Sequence, residues 1–340
     1  MRIIAVWSAL AAVSVALPAY ADTQFTIHQI TLPGATSVDA TAISDDSAVL
    51  GNETDANGEH GFLFSQRKLT LLPSTVPNCS VSAAIYPSSI NRRGVIAGAE
   101  ICAGLTTTFL YYNGSYLQRY TGMGTGSRRL YVGLKENGTI VFNRLADSGR
   151  YDAYIFRRWP RRIADARKFS IVHSINAHGT PAGTTFKGCG IEGHCVFFGS
   201  VHNSYTRFRT IYPPGAVTAS GGYINDHGQV AGTYSTSQGG PLSGFVYSGS
   251  QYATFNMPGR ADELVLSGMN DSGRVVGVYA TSGGPQHAFL YNGSTVTNIA
   301  DYPAGDQIGM SINRHGVIIL ADSTGSTTTS YKIHCTGSGC

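Results

Sequence analysis

Short apolar runs rich in Val, Ile, Tyr, Phe and Leu alternate along this chain with clusters of Gly, Asn, Asp, Ser and Pro, the pattern of strands punctuated by turns. The stretch from Met269 to Tyr291 carries the pattern most fully. Asn270-Asp271-Ser272-Gly273 reads as a tight turn, because the Asn side chain can bond backbone further along and Gly accepts the left-handed conformation. Val275-Val276-Gly277-Val278-Tyr279 and Ala288-Phe289-Leu290-Tyr291 then read as strands, the second running into another turn at Asn292-Gly293. One unit supplies four short strands, here called a to d, joined as hairpins.

The unit recurs at about 45 residues, a period of blades or solenoid coils. Its first half returns at Ile90-Asn91, Ile175-Asn176, Ile224-Asn225 and Ile312-Asn313, and in degenerate form at Ile43-Ser44 and Leu134-Lys135. Its second half returns at Phe62-Leu63-Phe64, Phe109-Leu110-Tyr111, Tyr154-Ile155-Phe156, Val196-Phe197-Phe198 and Phe245-Val246-Tyr247. Seven units result, and the seventh supplies only three strands. Phe25 to Leu32, ahead of the first unit, has the form of the missing strand d. Pairing it beside Ser330 to Ile333 closes a ring and protects both terminal edges, a device a solenoid would not need. The expected fold is therefore all-β, a seven-bladed β-propeller of four-stranded antiparallel blades closed by the N-terminal strand.

The residues resemble a known family at this point, the secreted bacterial proteins with the HAF repeat, whose His-Ala-Phe block stands here as His287-Ala288-Phe289. The resemblance covers nearly all of the chain after residue 21. It implies export and a repeat architecture, and carries over no catalytic residue.

Met1-Arg2, the apolar run Ala5 to Leu17 and Ala19-Tyr20-Ala21 fit a secretory signal peptide, residues 1–21, too short to span a bilayer. The propeller is expected over 22–334 and a Cys-bounded tail over 335–340, in a secreted or periplasmic protein. Six cysteines in an exported chain suggest disulfides. Spacing favours the local pairs Cys79–Cys102, Cys189–Cys195 and Cys335–Cys340.

Charge sharpens the picture. Between Thr121 and Lys168 stand eleven basic and four acidic residues, net +7, although the whole chain is only +4. In a propeller the a–b and c–d turns share one rim and the b–c and d–a loops the other. The first set is short and alike, whereas the second varies, over Pro73 to Ser82, Glu100 to Thr106, Asp147 to Asp152, Lys187 to Gly193 and Ser235 to Leu242. Variable loops on a rigid frame are where binding residues sit. Arg128, Arg129, Arg144, Arg150, Arg167 and Lys168 fall on that rim, with Tyr131 placed to stack a sugar. Arginine suits planar anionic groups. The expected partner is an anionic envelope glycan or lipopolysaccharide, or a protein. Nucleic acid is disfavoured by export, and no membrane span is expected.

The alternative is a lyase or hydrolase acting in the central channel, with His173, Asp262 and Glu263 as its candidates beside Tyr131. Adjacent carboxylates on an extended strand point to opposite faces, so Asp262 and Glu263 do not form the opposed pair of a glycosidase. The repeated Asn residues are read as turn formers rather than calcium ligands, which would need several oxygens at alternating positions. No metal or cofactor is expected.

Overall fold

The computed structural model describes residues 24–125, 132–145, 151–156, 160–163, 170–185, 195–202 and 205–337. A leading strand, β1 (Gln24–Ile30), precedes six consecutive four-stranded blades. Blade 1 contains β2 (Ser37–Ile43), β3 (Val49–Asp55), β4 (Gly58–Ser65) and β5 (Lys68–Leu71). Blade 2 contains β6 (Ala84–Ile90), β7 (Ile96–Cys102), β8 (Leu105–Tyr112) and β9 (Ser115–Thr125), and blade 3 β10 (Val132–Leu134), β11 (Ile140–Leu145), β12 (Tyr151–Phe156) and β13 (Pro160–Arg162). Blade 4 contains β14 (Ser170–Ile175), β15 (Pro181–Thr185), β16 (Cys195–His202) and β17 (Tyr205–Ile211), and blade 5 β18 (Thr218–Ile224), β19 (Val230–Ser235), β20 (Ser243–Ser248) and β21 (Gln251–Phe255). Blade 6 contains β22 (Glu263–Met269), β23 (Val275–Ala280), β24 (Gln286–Tyr291) and β25 (Val296–Tyr302). Blade 7 takes β26 (Gln307–Ile312), β27 (Ile318–Thr324) and β28 (Thr327–Thr336), and is completed by β1, antiparallel to β28 from Gln24↔Thr336 to Ile30↔Ser330. The ring closes as its strand count demanded.

Strands buried on both faces read as continuous apolar runs, and β23, the second strand of blade 6, is apolar and buried over all six residues. Apolar clusters fill the gaps between neighbouring blades. Leu50 and Leu72 meet Ile85 and Phe109 between blades 1 and 2, Phe255 meets Leu264 and Phe289 between blades 5 and 6, and Val38 and Phe62 meet Val317 and Ile319 across the closing seam. Buried side chains also bond the backbone of the next blade. Asn143 holds Val172 through its N–H and C=O at 2.8 and 2.9 Å, and Ser330 accepts from Ala40 N–H at 2.9 Å while donating to Val38 C=O at 2.7 Å.

The Val-x-Gly element of the repeat has a steric cause. Among the described residues, five inner strands carry a bulge, at Ala40/Ala42, Pro87/Ser89, Val172/Ser174, Gly221/Tyr223 and Leu266/Gly268. The neighbouring strand must approach the bulged backbone closely. A Cβ on Gly277 would stand 2.3 Å from Val265 C=O and 2.9 Å from the Phe289 ring, so only glycine fits beneath the aromatic of the third strand.

Among the described residues there is no helix, and so none long and apolar enough to cross a membrane.

Candidate functional site

The seven a–b turns converge on one mouth of the central channel. Each is closed by an amide-to-carbonyl bond across the turn, as from Gly94 to Asn91 at 3.0 Å and from Gly273 to Asn270 at 3.0 Å, with the glycine left-handed. Blade 1 makes the same turn without Asn or Gly. Ser44 replaces the Asn, its hydroxyl accepting from Ala48 N–H at 2.9 Å, and Ser47 takes a φ of 65°.

The turn asparagines have a second role that spacing does not reveal. Asn225 Oδ1 accepts from His227 and Gln229 N–H within its own turn, while its Nδ2 donates to Asn270 C=O of the next blade at 3.1 Å. Asn176 donates in the same way to Asn225 C=O, Asn270 to Asn313 C=O, and Asn313 across the closing seam to Ser44 C=O at 2.9 Å. These bonds form a circumferential clasp around the mouth, and the asparagines stay turn and frame rather than cation ligands.

One position further on, the same turns present Asp45, Arg92, Glu136, Ala177, Asp226, Asp271 and Arg314 to a cavity of about 210 Å³. That is smaller than the roughly 300–1,000 Å³ typical of small-molecule pockets. Arg92 reaches across it. Its Nε donates to Asp45 Oδ2 at 2.7 Å, and its Nη2 lies 3.6 Å from both Asp226 Oδ2 and Asp271 Oδ2. Arg314 Nε adds a contact to Asp45 at 3.4 Å. Backbone amides supply more donors, Arg92 N–H to Glu136 at 3.0 Å, Ala177 N–H to Asp226 at 2.6 Å and Asp226 N–H to Asp271 at 3.0 Å. The bond to Asp45 holds the Arg92 guanidinium still more firmly protonated. The mouth is thus an ionic lattice of four carboxylates and two guanidiniums in which every carboxylate is already engaged, and its small volume is crossed by a guanidinium.

The channel candidates are placed as follows. His173 is the extra residue of the blade 4 bulge, its Nε2 3.2 Å from Thr184 Oγ1 and its ring 5.8 Å from Tyr223. Burial pulls its pKa down to about 4, which keeps the ring neutral at pH 7. Nε2 is paired with a hydroxyl and not with the carboxylate that would orient a general base. Asp262 lies in the d–a loop before β22, bonded to Arg260 Nε and to Ser282 N–H at 3.1 Å, and these donors hold it below the usual carboxylate range. Glu263 begins β22 and is exposed. His173 and Asp262 sit on different blades, and the structure joins neither to the other.

On the opposite rim, Cys79 and Cys102 form the expected disulfide, tying the loop between β5 and β6 to the turn between β7 and β8. Cys195 and Cys335 are in disulfides as well, whereas Cys189 and Cys340 lie outside the described residues. The expected loop Glu100 to Thr106 is shorter than its sequence suggested. β7 runs through Cys102 and β8 starts at Leu105, so Ala103 and Gly104, both left-handed, make a two-residue turn. Arg144 lies on β11 directly opposite Asp152 and is half buried, its Nε withdrawn from solvent. Arg128, Arg129, Tyr131, Arg150, Arg167 and Lys168 lie outside the described residues.

No family model matches the sequence, and no curated protein matches it. Among solved structures, the β-propeller domain of the Trilobed protease from Pyrococcus furiosus matches at 8% identity and a TM-score of 0.58, over 89% of this chain and 97% of that one. That domain is described as having an open velcro topology, whereas β1 seals the last blade here. Virginiamycin B lyase from Staphylococcus aureus matches at 12% identity and a TM-score of 0.54, over 91% and 99% of the two chains. An acylaminoacyl peptidase from Pyrococcus horikoshii matches at 9% and 0.58, over 87% of this chain but only 51% of that one, so this chain spans about half its length. At such identities the likeness is one of fold, and it agrees with the strand pairing in making the chain a seven-bladed β-propeller.

Proposed function

We propose that this chain is an exported binding module that engages an anionic envelope glycan through the rim carrying the b–c and d–a loops. The observation that carries the reading is the state of the channel mouth. Its carboxylates are bonded to Arg92, Arg314 and backbone amides, so that end offers no free acid–base pair. A channel lyase or hydrolase would need such a pair, and His173 is offered a threonine hydroxyl instead. The other rim has the attributes of a binding surface, being built of unlike loops and stapled by Cys79–Cys102. The disulfide also supports an oxidising compartment, in keeping with the signal-peptide reading of residues 1–21 and the HAF-type repeat.

Blade 3 supplies the charge for anion binding, with Arg128, Arg129, Arg150, Arg167 and Lys168 in or beside its rim loops by sequence. Summed positive charge raises the local concentration of a polyanion, and arginine pairs with carboxylate, sulfate or phosphate through two donors. The test is binding of an acidic polysaccharide at about 0.05 and 0.5 M salt, a range over which exposed contacts are strongly screened. Affinity should fall steeply with salt, and replacing Arg128, Arg129, Arg167 and Lys168 with Ala should remove most of it. Binding that ignores salt, or survives the four replacements unchanged, refutes the rim assignment. Capture of a protein in preference to any polyanion would move the function to protein recognition.

A further inference from the structure

Blade 1 sets three potential ligands on one face of a single hairpin. Glu53 and Asp55 are two residues apart on β3 and so point the same way, and His60 on β4 is the direct cross-strand partner of Glu53. One ligand atom from each lies within 4.8 Å of the others, and His60 Nε2 stands 3.4 Å from Asp55 Oδ1. The position is specific to this blade. Blades 2 and 7 also carry a carboxylate at the equivalent point of their second strand, but Glu100 faces Thr107 and Asp322 faces Thr329. In blade 6 the histidine is present but Tyr279 stands at that point of the second strand, stacking on His287 at 4.8 Å, and the carboxylate bonded to His287 Nδ1 at 2.6 Å is Asp301 of the fourth strand. Among the described residues, only blade 1 sets a histidine directly opposite a carboxylate of the second strand.

A second observation points into the cluster. Glu53 is just 3% exposed, on the face that packs Val38 and Val49 against the closing blade, and its Oε2 is buried without a hydrogen-bond partner. Burial and the neighbouring Asp55 raise its pKa. A buried carboxylate beside another carboxylate is costly unless a counter-charge or hydrogen bonds compensate it. Among the described residues, the groups facing it are Asp55 and the imidazole of His60.

We propose that Glu53, Asp55 and His60 bind a divalent transition-metal ion, zinc being the best match, at the loop rim beside the closing seam. One imidazole and two carboxylates are a borderline donor set, suited to zinc rather than to calcium, which prefers six to eight oxygens. Ligands at about 2.1 Å from zinc stand roughly 3.4 Å apart in a tetrahedral site, so the ion would draw the three side chains together. Asp55 and His60 can move, because they flank the hairpin end and are partly exposed, while buried Glu53 fixes the site. Asp55 already caps the hairpin, Oδ1 accepting from Asn57 N–H at 2.6 Å and Oδ2 from Asn57 Nδ2 at 3.2 Å, and each oxygen keeps a second lone pair for the metal. Three protein ligands leave a fourth position for water or a ligand group. The inference does not rest on the glycan reading and stands or falls separately.

The test is titration of zinc alone into the chelator-stripped mature protein, by calorimetry and by thermal melting. One zinc per chain should bind and the melting temperature should rise, as it must for an ion that favours the folded state. Glu53→Gln and His60→Gln should each weaken binding at least about tenfold, roughly the loss seen when a metal site's supporting groups are removed. Glu59→Gln, which alters the exposed carboxylate bonded to Tyr86, should bind as the parent does. Asp55→Asn keeps the test decisive if glutamine at 53 disturbs the fold. Absence of a one-to-one complex, equal affinity in the Glu53 and His60 variants, or tighter binding of calcium than of zinc would overturn the assignment.

Discussion

Replacing Asn313 tests what holds the ring shut. Its Oδ1 accepts from His315 N–H at 3.1 Å and Val317 N–H at 2.9 Å, and its Nδ2 donates across the seam to Ser44 C=O, 269 residues away. The side chain is 4% exposed, and the bonds to Val317 and Ser44 are buried. Asn313→Ala would strand one buried donor and one buried acceptor at about 1–3 kcal/mol each, with a smaller loss at the half-buried His315 amide that water can reach. The sum of the two buried terms is about 2–6 kcal/mol. Asn313→Asp separates the two roles, since a carboxylate still accepts within the turn but cannot donate to Ser44. It should lose at least the inter-blade share, about 1–3 kcal/mol, with a further cost for setting a buried carboxylate against the Ser44 carbonyl. Urea unfolding followed by far-UV circular dichroism reads both. Stability of Asn313→Ala within about 0.5 kcal/mol of the parent, the range of an unremarkable surface change, would show that the asparagine clasp does not hold the ring.

Deleting Gln24 to Ile30 should lower the melting temperature and promote self-association, because β28 would lose its ladder partner and become an open edge; an unchanged melting temperature and a monomeric elution profile would contradict closure. The double change Cys79→Ser with Cys102→Ser releases a loop with a sequence separation of 23 and should cost about 3 kcal/mol in urea unfolding, against no loss if the loops are rigid without it. His173 is neutral in the fold, with its pKa at about 4. The unfolded chain binds a proton there below about pH 6.5 and the folded chain does not, so this group lowers stability as pH falls from about 6.5 to 4. His173→Gln should flatten the acid side of the stability profile by about 1–3 kcal/mol, and an unaltered profile would mean the ring is protonated in place.

The blades and their closure were legible because both are written in local pattern. A turn of Asn-x-x-Gly and an aromatic third strand recur at fixed spacing, and Phe25 to Leu32 is a fourth strand lacking neighbours of its own in the chain. Cys79 and Cys102 could be paired for the same reason, as the strand order already put them on one rim. What escaped the sequence is contact across the ring. Arg92 meets Asp226 and Asp271 only because seven turns share one axis, and nothing near Arg92 in the chain distinguishes it from an exposed turn cation. The second bond of each asparagine was hidden likewise, its role inside the turn being a sufficient account of its presence. Glu53 and His60 were within reach, being cross-strand partners in a short hairpin. His60 opens the third strand of its blade as His287 does in blade 6, and that likeness conceals that the residue opposite on the second strand is a carboxylate here and a tyrosine there.

The most direct measurement of the functional account is amide hydrogen exchange of the mature protein with and without a bound acidic polysaccharide, at about 0.05 M salt where exposed charge contacts are weakly screened. If the loop rim is the binding surface, protection should appear in peptides spanning residues 126–131, 146–150 and 164–169, and peptides spanning the channel-mouth turns at 90–94, 225–228 and 270–273 should exchange as before. Protection confined to those turns would place the ligand on the ionic mouth and contradict the account.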